Sequence, residues 1–354
     1  MQKNLKVGII GARGLPAQYG AFDQFLDQFV KYSNLKNKNI FFYISAEYGL
    51  KKKDINNVSQ FYFYRGKSFF ILFNNFISIL YFYLKGVRTF LFFGYGPVIF
   101  FPLLKLLNCK IVCNVDGIEW RRKLGLLKKK YFQFCEKLLS KVKINLIFDS
   151  IVIKRYYNII HKVNGKLLFY PSDFESKTIL KKTKFNRNQF KTIIVMRFLP
   201  ENNIEKIVEA FKILDDLNIK NHKLYIVGKE NDYFLNTIQP IIKDYKNIIF
   251  LGPIYNRSKL FKFWSCADYY IHGHSVGGTN PTLIEALSLK LPIIAFDCMF
   301  NKMILKNNGS YFRTSNDLVS LIKSGNFIHK KRDYDFRFFK RDYINEEYIK
   351  LLKN

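Results

Sequence analysis

The segment His272-Gly273-His274-Ser275-Val276-Gly277-Gly278-Thr279-Asn280-Pro281-Thr282-Leu283-Ile284-Glu285 combines residue types and spacing that suit anion chemistry. An apolar run (ADYYIH) feeds a glycine-rich loop. Asn280 suits a helix N-cap and Pro281 the first helical position. The free amides and positive dipole end of such a helix attract a diphosphate, and Glu285, one turn in, is placed to accept hydrogen bonds from ribose hydroxyls. His272 and His274 alternate as metal ligands can, but no third ligand set accompanies them, so no metal is expected. Arg197, in Met196–Asn203 (MRFLPENN), follows a second apolar run. Its guanidinium fork would bind two phosphate oxygens at once; the plain alternative is a surface arginine.

Two further segments lie nearer the N terminus. Gly8-Ile-Ile-Gly11-Ala-Arg-Gly14-Leu-Pro16-Ala-Gln-Tyr19-Gly20-Ala-Phe22-Asp23 is a strand running into glycines and then into a helix. Glycines let the backbone approach a ligand, and the spacing leaves a dinucleotide site open. However, Pro16 and Tyr19-Gly20 lengthen the loop, and the acid expected about 20 positions on is missing. Glu47 stands 33 positions after Gly14. Asn114-Val-Asp116-Gly117-Ile-Glu119-Trp120-Arg121-Arg122 follows an apolar run directly. Asp116 and Glu119 beside an aromatic plate read either as a carboxylate cluster for sugar hydroxyls or as a helix-capping acid with a surface ion pair.

These residues need a scaffold that brings loops to one end of a sheet. Strands are expected at Lys6–Ile10, Ile40–Ser45, Thr89–Phe93, Lys110–Val115 and Ile144–Asp149, and again at Lys191–Met196, Lys223–Val227, Asn247–Leu251, Tyr269–His272 and Pro292–Phe296. Helical patterns lie between them, at Phe22–Tyr32, Lys129–Ser140 and Asn203–Leu217, the last with Ile204, Ile207, Val208, Phe211 and Leu214 on one face. Alternating strands and helices predict parallel sheets covered on both faces. Two such series predict two Rossmann-like domains, residues 1–175 and 190–332. The basic stretch Ser176–Gln189 reads as a linker, and a C-terminal helix in 333–354 is expected to pack back on the first domain.

Composition narrows the class. Lys and Arg number 58 against 27 Asp and Glu, a net charge of +31, and 49% of residues are hydrophobic, which excludes a disordered chain. Cys109, Cys113, Cys135, Cys266 and Cys298 are few and form no CxxC pair, so neither a disulfide framework nor zinc is expected. The charge suits nucleic acid, anionic lipid or a generally lysine-rich composition. No nucleic-acid motif is present, and a membrane surface is the expected partner. The stretch Phe69–Leu84 (FFILFNNFISILYFYL) is too short to span a bilayer and is interrupted by Asn74, Asn75 and Ser78. It reads as a buried helix or as one lying in the membrane interface. The short apolar run after Lys6 is no signal-peptide core. A cytoplasmic protein, peripheral at the inner face of the membrane, is expected.

GARGLPAQYGAFD, DGIEW, PENN and GHSVGGTNPTLIEA, in this order from Val7 to Asn301, resemble glycosyltransferase family 4, and within it the bacterial rhamnosyltransferase-like branch of polysaccharide assembly (capsule, O-antigen or exopolysaccharide). The resemblance implies an α/β protein of the GT-B fold, two Rossmann-like domains with a cleft between them, and a metal-independent enzyme that retains anomeric configuration. The substrate it implies is a nucleotide-diphosphate sugar, dTDP-rhamnose by analogy, with a lipid-linked or saccharide acceptor and no cofactor. By the same analogy Glu285 would bind the donor ribose, the Gly277-Gly278-Thr279-Asn280 loop and Arg197 the diphosphate, with Asn202 and His274 in the donor-binding set. Gly14, Tyr19 and Gly20 would close over the donor, and Asp116 and Glu119 would face the sugars as catalytic residues with Arg197. The sequence departs from the family at three places: Gly277 stands where the first glutamate of E-x7-E is usual, Asn202 where a lysine is, and Asp116 where a histidine is. An NAD(P)-dependent oxidoreductase, from the glycines of the first loop, and a non-catalytic nucleotide-sugar or glycan binder, from Gly277 and Asn202, are the alternatives.

Overall fold

The computed structural model describes residues 4–17, 21–36, 39–47, 54–63, 68–121, 124–172, 190–276, 280–327 and 336–353. The chain divides into two compact units, Met1–Pro171 with Arg337–Asn354, and Ser172–Phe336.

The first unit runs β1 (Leu5–Ile10), α1 (Ala21–Lys36), β2 (Ile40–Glu47), β3 (Val58–Phe63), α2 (Ser68–Leu84), β4 (Thr89–Phe93), α3 (Phe101–Leu106), β5 (Lys110–Asn114), α4 (Leu126–Leu139), β6 (Asn145–Phe148), α5 (Ile151–His161) and β7 (Lys166–Leu167). Its strands form one parallel sheet in the order β3-β2-β1-β4-β5-β6-β7. Strand β4 (TFLFF) is buried at every position, as a central strand covered on both faces must be, and no polar alternation is needed to build it.

The second unit runs β8 (Phe190–Val195), α6 (Ile204–Asp216), β9 (His222–Val227), α7 (Gln239–Ile242), β10 (Ile248–Gly252), α8 (Arg257–Cys266), β11 (Tyr269–His272), α9 (Pro281–Ser288), β12 (Ile293–Phe296), α10 (Met299–Leu305), β13 (Ser310–Phe312) and α11 (Ser315–Ser324). Its sheet is also parallel, in the order β10-β9-β8-β11-β12-β13. Both units are thus doubly wound Rossmann-like layers. In such sheets ligands bind beyond the strands' carboxyl ends where the order reverses. That point lies between β1 and β4 in the first unit and between β8 and β11 in the second.

Helix α12 (Arg341–Lys353) completes the first unit. Its Ile344, Tyr348, Ile349 and Leu352 join a core with Phe25, Phe29, Phe42 and Leu91. The Tyr348 ring lies 4.7 Å from that of Phe25, and its hydroxyl accepts from Asn114 Nδ2 at 2.7 Å. Burying one such aromatic contributes about 2–3 kcal/mol. The second core gathers Ile194, Ile207, Phe211, Leu224, Ile271 and Leu318 around α6 and β8.

The strands expected from the sequence all appear, with ends shifted by a residue or two. Strands β3, β7 and β13 were not expected. The first is an edge strand with every residue half-buried, the others are two and three residues long, and none carries a continuous apolar run. The expected linker Ser176–Gln189 lies outside the described residues.

Candidate functional site

The loops after β8 and β11, on adjacent strands, are tied together by side chains. Asn202, 5% exposed, donates from Nδ2 to the Arg197 carbonyl at 2.6 Å, and its Oδ1 lies 2.6 Å from His274 Nδ1. Asn203 takes a left-handed backbone (φ 50°) and donates to the Gly273 carbonyl at 2.8 Å. Ser275 donates from both its backbone N–H and its hydroxyl to the Glu201 carbonyl, at 3.0 and 2.8 Å. Asn301 holds the His274 carbonyl at 2.9 Å from the far side. Gly273 is required here: a Cβ would sit 2.0 Å from the Asn202 carbonyl oxygen. With the loops fixed this way, the Arg197 side chain stays exposed. Lys206, on the first turn of α6, donates to Asn203 Oδ1 at 3.0 Å and lies over the Phe296 ring.

The start of α9 is set by a chain of hydrogen bonds. Asn280 Oδ1 accepts from the Thr282 N–H at 3.0 Å and from the Thr282 hydroxyl at 2.8 Å. The Thr282 proton is therefore spent, and Thr282 Oγ1 accepts from the Tyr270 hydroxyl at 2.8 Å. By the same count Tyr270 accepts from His272 Nδ1, 2.9 Å away, which assigns the Nδ1–H tautomer. His272 is 2% exposed, and burial, aided by nearby His274, pushes its pKa well below the ordinary histidine value, so it stays neutral. Glu285 is buried on this helix, 4% exposed.

In the first unit Gly11 (φ 102°) lies against β4, where a Cβ would meet the Phe93 carbonyl oxygen at 2.1 Å; Gly14 also has positive φ, 111°. Asp23 accepts from the Arg13 N–H at 2.8 Å, and Gln60 on β3 clasps the Leu15 backbone from both sides, at 2.7 and 2.8 Å. Asp116 also has a left-handed backbone (φ 62°), and its N–H donates to Asn114 Oδ1 at 3.0 Å. Asn114 thus joins α12, through Tyr348, to the loop carrying Asp116. The Glu119 N–H donates to the Tyr95 hydroxyl at 3.0 Å. Trp120 is fixed from behind by Glu136, 3% exposed, whose Oε2 accepts the indole N–H at 2.8 Å. Glu136 Oε1 accepts from the Tyr156 hydroxyl and lies 2.6 Å from His161 Nε2.

Arg197, Asn202 and His274 thus come together beyond β8 and β11, and Asn280 and Glu285 lie on α9, which follows β11. Gly14, Asp116 and Glu119 lie in loops at the same end of the first sheet. Tyr19, Gly20, Gly277, Gly278 and Thr279 lie outside the described residues. Asn202 turns its side chain to neighbouring loops and positions Arg197 and His274. The sequence reading passed over Gln60, Lys206 and the Glu136 cluster. Glu136 had a signal: it is the sole acid between Arg121 and Phe148 and sits beside Cys135 on the helix's buried face.

The two parallel-sheet, Rossmann-like halves match the GT-B fold of the solved structures named below. Residues 175–324 match the family model described as Glycosyl transferases group 1, and residues 4–81 match a Domain of unknown function (DUF1972). No curated protein matches the chain. Among solved structures, sucrose-phosphate synthase from Thermosynechococcus elongatus is similar with a TM-score of 0.79 at 14% identity, over 99% of this chain and 98% of that one. A glycosyltransferase from Rickettsia africae gives 0.74 at 15% identity, over 100% and 98%. HepE from Anabaena, solved in complex with UDP, gives 0.71 at 11% identity, over 99% of both. At such identities the likeness establishes the fold.

Proposed function

We propose that this protein is a metal-independent, retaining glycosyltransferase. It moves a sugar, rhamnose in the first instance, from a nucleoside-diphosphate donor to a lipid-linked or saccharide acceptor in capsule, O-antigen or exopolysaccharide assembly at the inner face of the cytoplasmic membrane. The observation that carries this reading is the switch point of the second sheet. There an exposed Arg197 and the Asn280-capped start of α9 follow neighbouring strands, and Asn202, Asn203 and Ser275 tie the Arg197 loop to the Gly273–Ser275 segment after β11. The similar HepE structure with UDP and glucose bound supports a nucleotide-sugar donor.

The physical problem in this reaction is leaving-group charge. Breaking the bond between sugar and diphosphate leaves negative charge on the β-phosphate. Fixed donors aimed at that charge lower the barrier most, because they need no reorganisation. The first amides of α9 are not free to do so, since Pro281 has no N–H and the Thr282 and Leu283 N–H groups are bonded to Asn280. Arg197 is the donor, the positive dipole end of α9 adds its field, and Lys206 adds a second cation beside the loop. Glu285 holds the donor ribose. Asp116 and Glu119 face the reacting sugars, with Trp120 as an apolar plate beside them.

The test is nucleotide release from dTDP-rhamnose, UDP-sugars and GDP-sugars in the presence of membrane extract, with and without a chelator. Release from one donor, undiminished by the chelator, is expected. Folded protein that releases nothing from any donor overturns the enzyme reading. If it still binds a donor, the non-catalytic reading takes its place, and tight NADH binding without donor binding returns the dinucleotide one.

A further inference from the structure

Helix α2 carries its polarity the wrong way round for a helix facing water. Asn75 and Ser78 are 7% and 0% exposed, and Ser78 Oγ lies 2.8 Å from Ser45 Oγ on β2. Phe73 and Leu84 are 55% and 74% exposed, with Phe70 and Leu80 alongside. Residues 73, 77, 80 and 84 recur at helical spacing, so a whole outer stripe is apolar. Two of the three polar groups that interrupt the sequence, Asn75 and Ser78, are turned inward.

The same layer continues through α3 and α4. All three helices meet at the turn Gly96–Phe100: Phe76 of α2 lies 5.4 Å from Phe100, α3 follows directly, and Tyr131 of α4 donates to the Gly96 carbonyl at 2.6 Å. Leu106 on α3 and Leu126 and Leu127 on α4 are 78–85% exposed. The charge is one-sided. From Ile55 to Val115 the sequence holds no Asp or Glu, and Glu136, the single acid of α4, is buried on Trp120, Tyr156 and His161. Lys85, Arg88, Lys105, Lys128, Lys130 and Lys137 are exposed among the leucines and phenylalanines.

We propose that the α2–α3–α4 layer of the first unit docks on the surface of an anionic phospholipid bilayer. The apolar side chains enter the acyl boundary and the lysines meet headgroup phosphates. Nucleic acid would satisfy the lysines and leave the exposed leucines without a partner. A second copy of the layer would set lysine against lysine. No helix among the described residues is long and apolar enough to cross a membrane, so the contact is from one side. The proposal gives the lipid-linked acceptor reading its surface and rests on it only for purpose. Vesicle binding is measured without donor or acceptor, so failure here and failure of glycosyl transfer are distinguishable.

The experiment is co-sedimentation of the full chain with phosphatidylcholine vesicles, with or without phosphatidylglycerol, at low and high salt. Binding to the anionic vesicles is expected to exceed binding to neutral ones by about tenfold and to fall in high salt. Phe73→Glu/Leu80→Glu and, separately, Leu126→Ser/Leu127→Ser are each expected to lower it about tenfold while leaving the thermal midpoint near that of the unaltered chain. The wild-type salt and lipid arms decide the matter even if one variant fails to fold. Binding that ignores lipid charge, binding unchanged in folded variants, or a dimer that the variants dissociate would each overturn the proposal. So would a preference for duplex DNA over the vesicles.

Discussion

Arg197 and Glu136 are two charged residues with opposite surroundings, and they should respond to substitution in opposite ways. Arg197 is exposed and ties nothing down. Arg197→Ala should leave the melting temperature unchanged and lower the turnover rate by about 3 kcal/mol of transition-state stabilisation, in line with loss of one preorganised donor. Nucleotide-release kinetics at saturating donor check this. Glu136 is buried beneath Trp120 and holds three side chains. Glu136→Ala should destabilise the first unit by about 3 kcal/mol, because the indole N–H and two further groups lose their partner. It should also shift the fluorescence of Trp120, while Trp264, wholly buried in the other unit, reports no change. Arg197 was legible in the sequence because a cation just after a strand is a local pattern. The Glu136 cluster was not, because its partners stand 16 to 25 positions away and only the fold brings them together.

At the scale of elements, the tie between the loops after β8 and β11 is the part most sensitive to volume. Gly273→Ala places a methyl 2.0 Å from the Asn202 carbonyl oxygen. The loops must part, at a cost of about 1–3 kcal/mol, and donor affinity, read by calorimetry, should fall at least about tenfold. The same sheet should also be pH-sensitive. His222, stacked on Phe190 at 4.7 Å, has its pKa lowered by burial from 6.5 to about 4. Above 6.5 neither the folded nor the unfolded chain protonates it. Below 6.5 the unfolded chain takes up a proton that the folded one refuses until about pH 4. Stability is therefore whole above 6.5 and lost as pH falls, with His272 acting in the same direction. Thermal midpoints should drop between pH 7 and pH 5, less steeply in His222→Phe. The central strands could be read from the sequence because burial on both faces makes them continuous apolar runs. The polar interleaving of β3 (VSQFYF) and the brevity of β7 and β13 gave periodicity nothing to register.

For the whole molecule, the first unit is built from two separated pieces of chain, and α12 is its closing part. Tyr348→Ala should cost about 3–5 kcal/mol by emptying the space beside Phe25 and Phe29. Limited proteolysis should then cut the first unit before the second. The loss should also reach the loop of Asp116, since Asn114 would keep its bond to the Asp116 N–H and lose its anchor on Tyr348. The division into two Rossmann-like halves was plain from two strand–helix series. That Asn75 and Ser78 of α2 face inward was not, because a list of residues does not say which side of a helix meets the sheet.

Because α12 is translated after every strand of the second unit, the ribosome makes most of the first unit early and finishes it late. A nascent chain would pass through a stage in which the second unit is ready to fold while Phe25 and Phe29 still face an empty trough. A chaperone that holds exposed aromatics has its target there. The loop of Asp116 gains its last support only when that trough is filled, so a chain halted before α12 would carry that loop without its anchor.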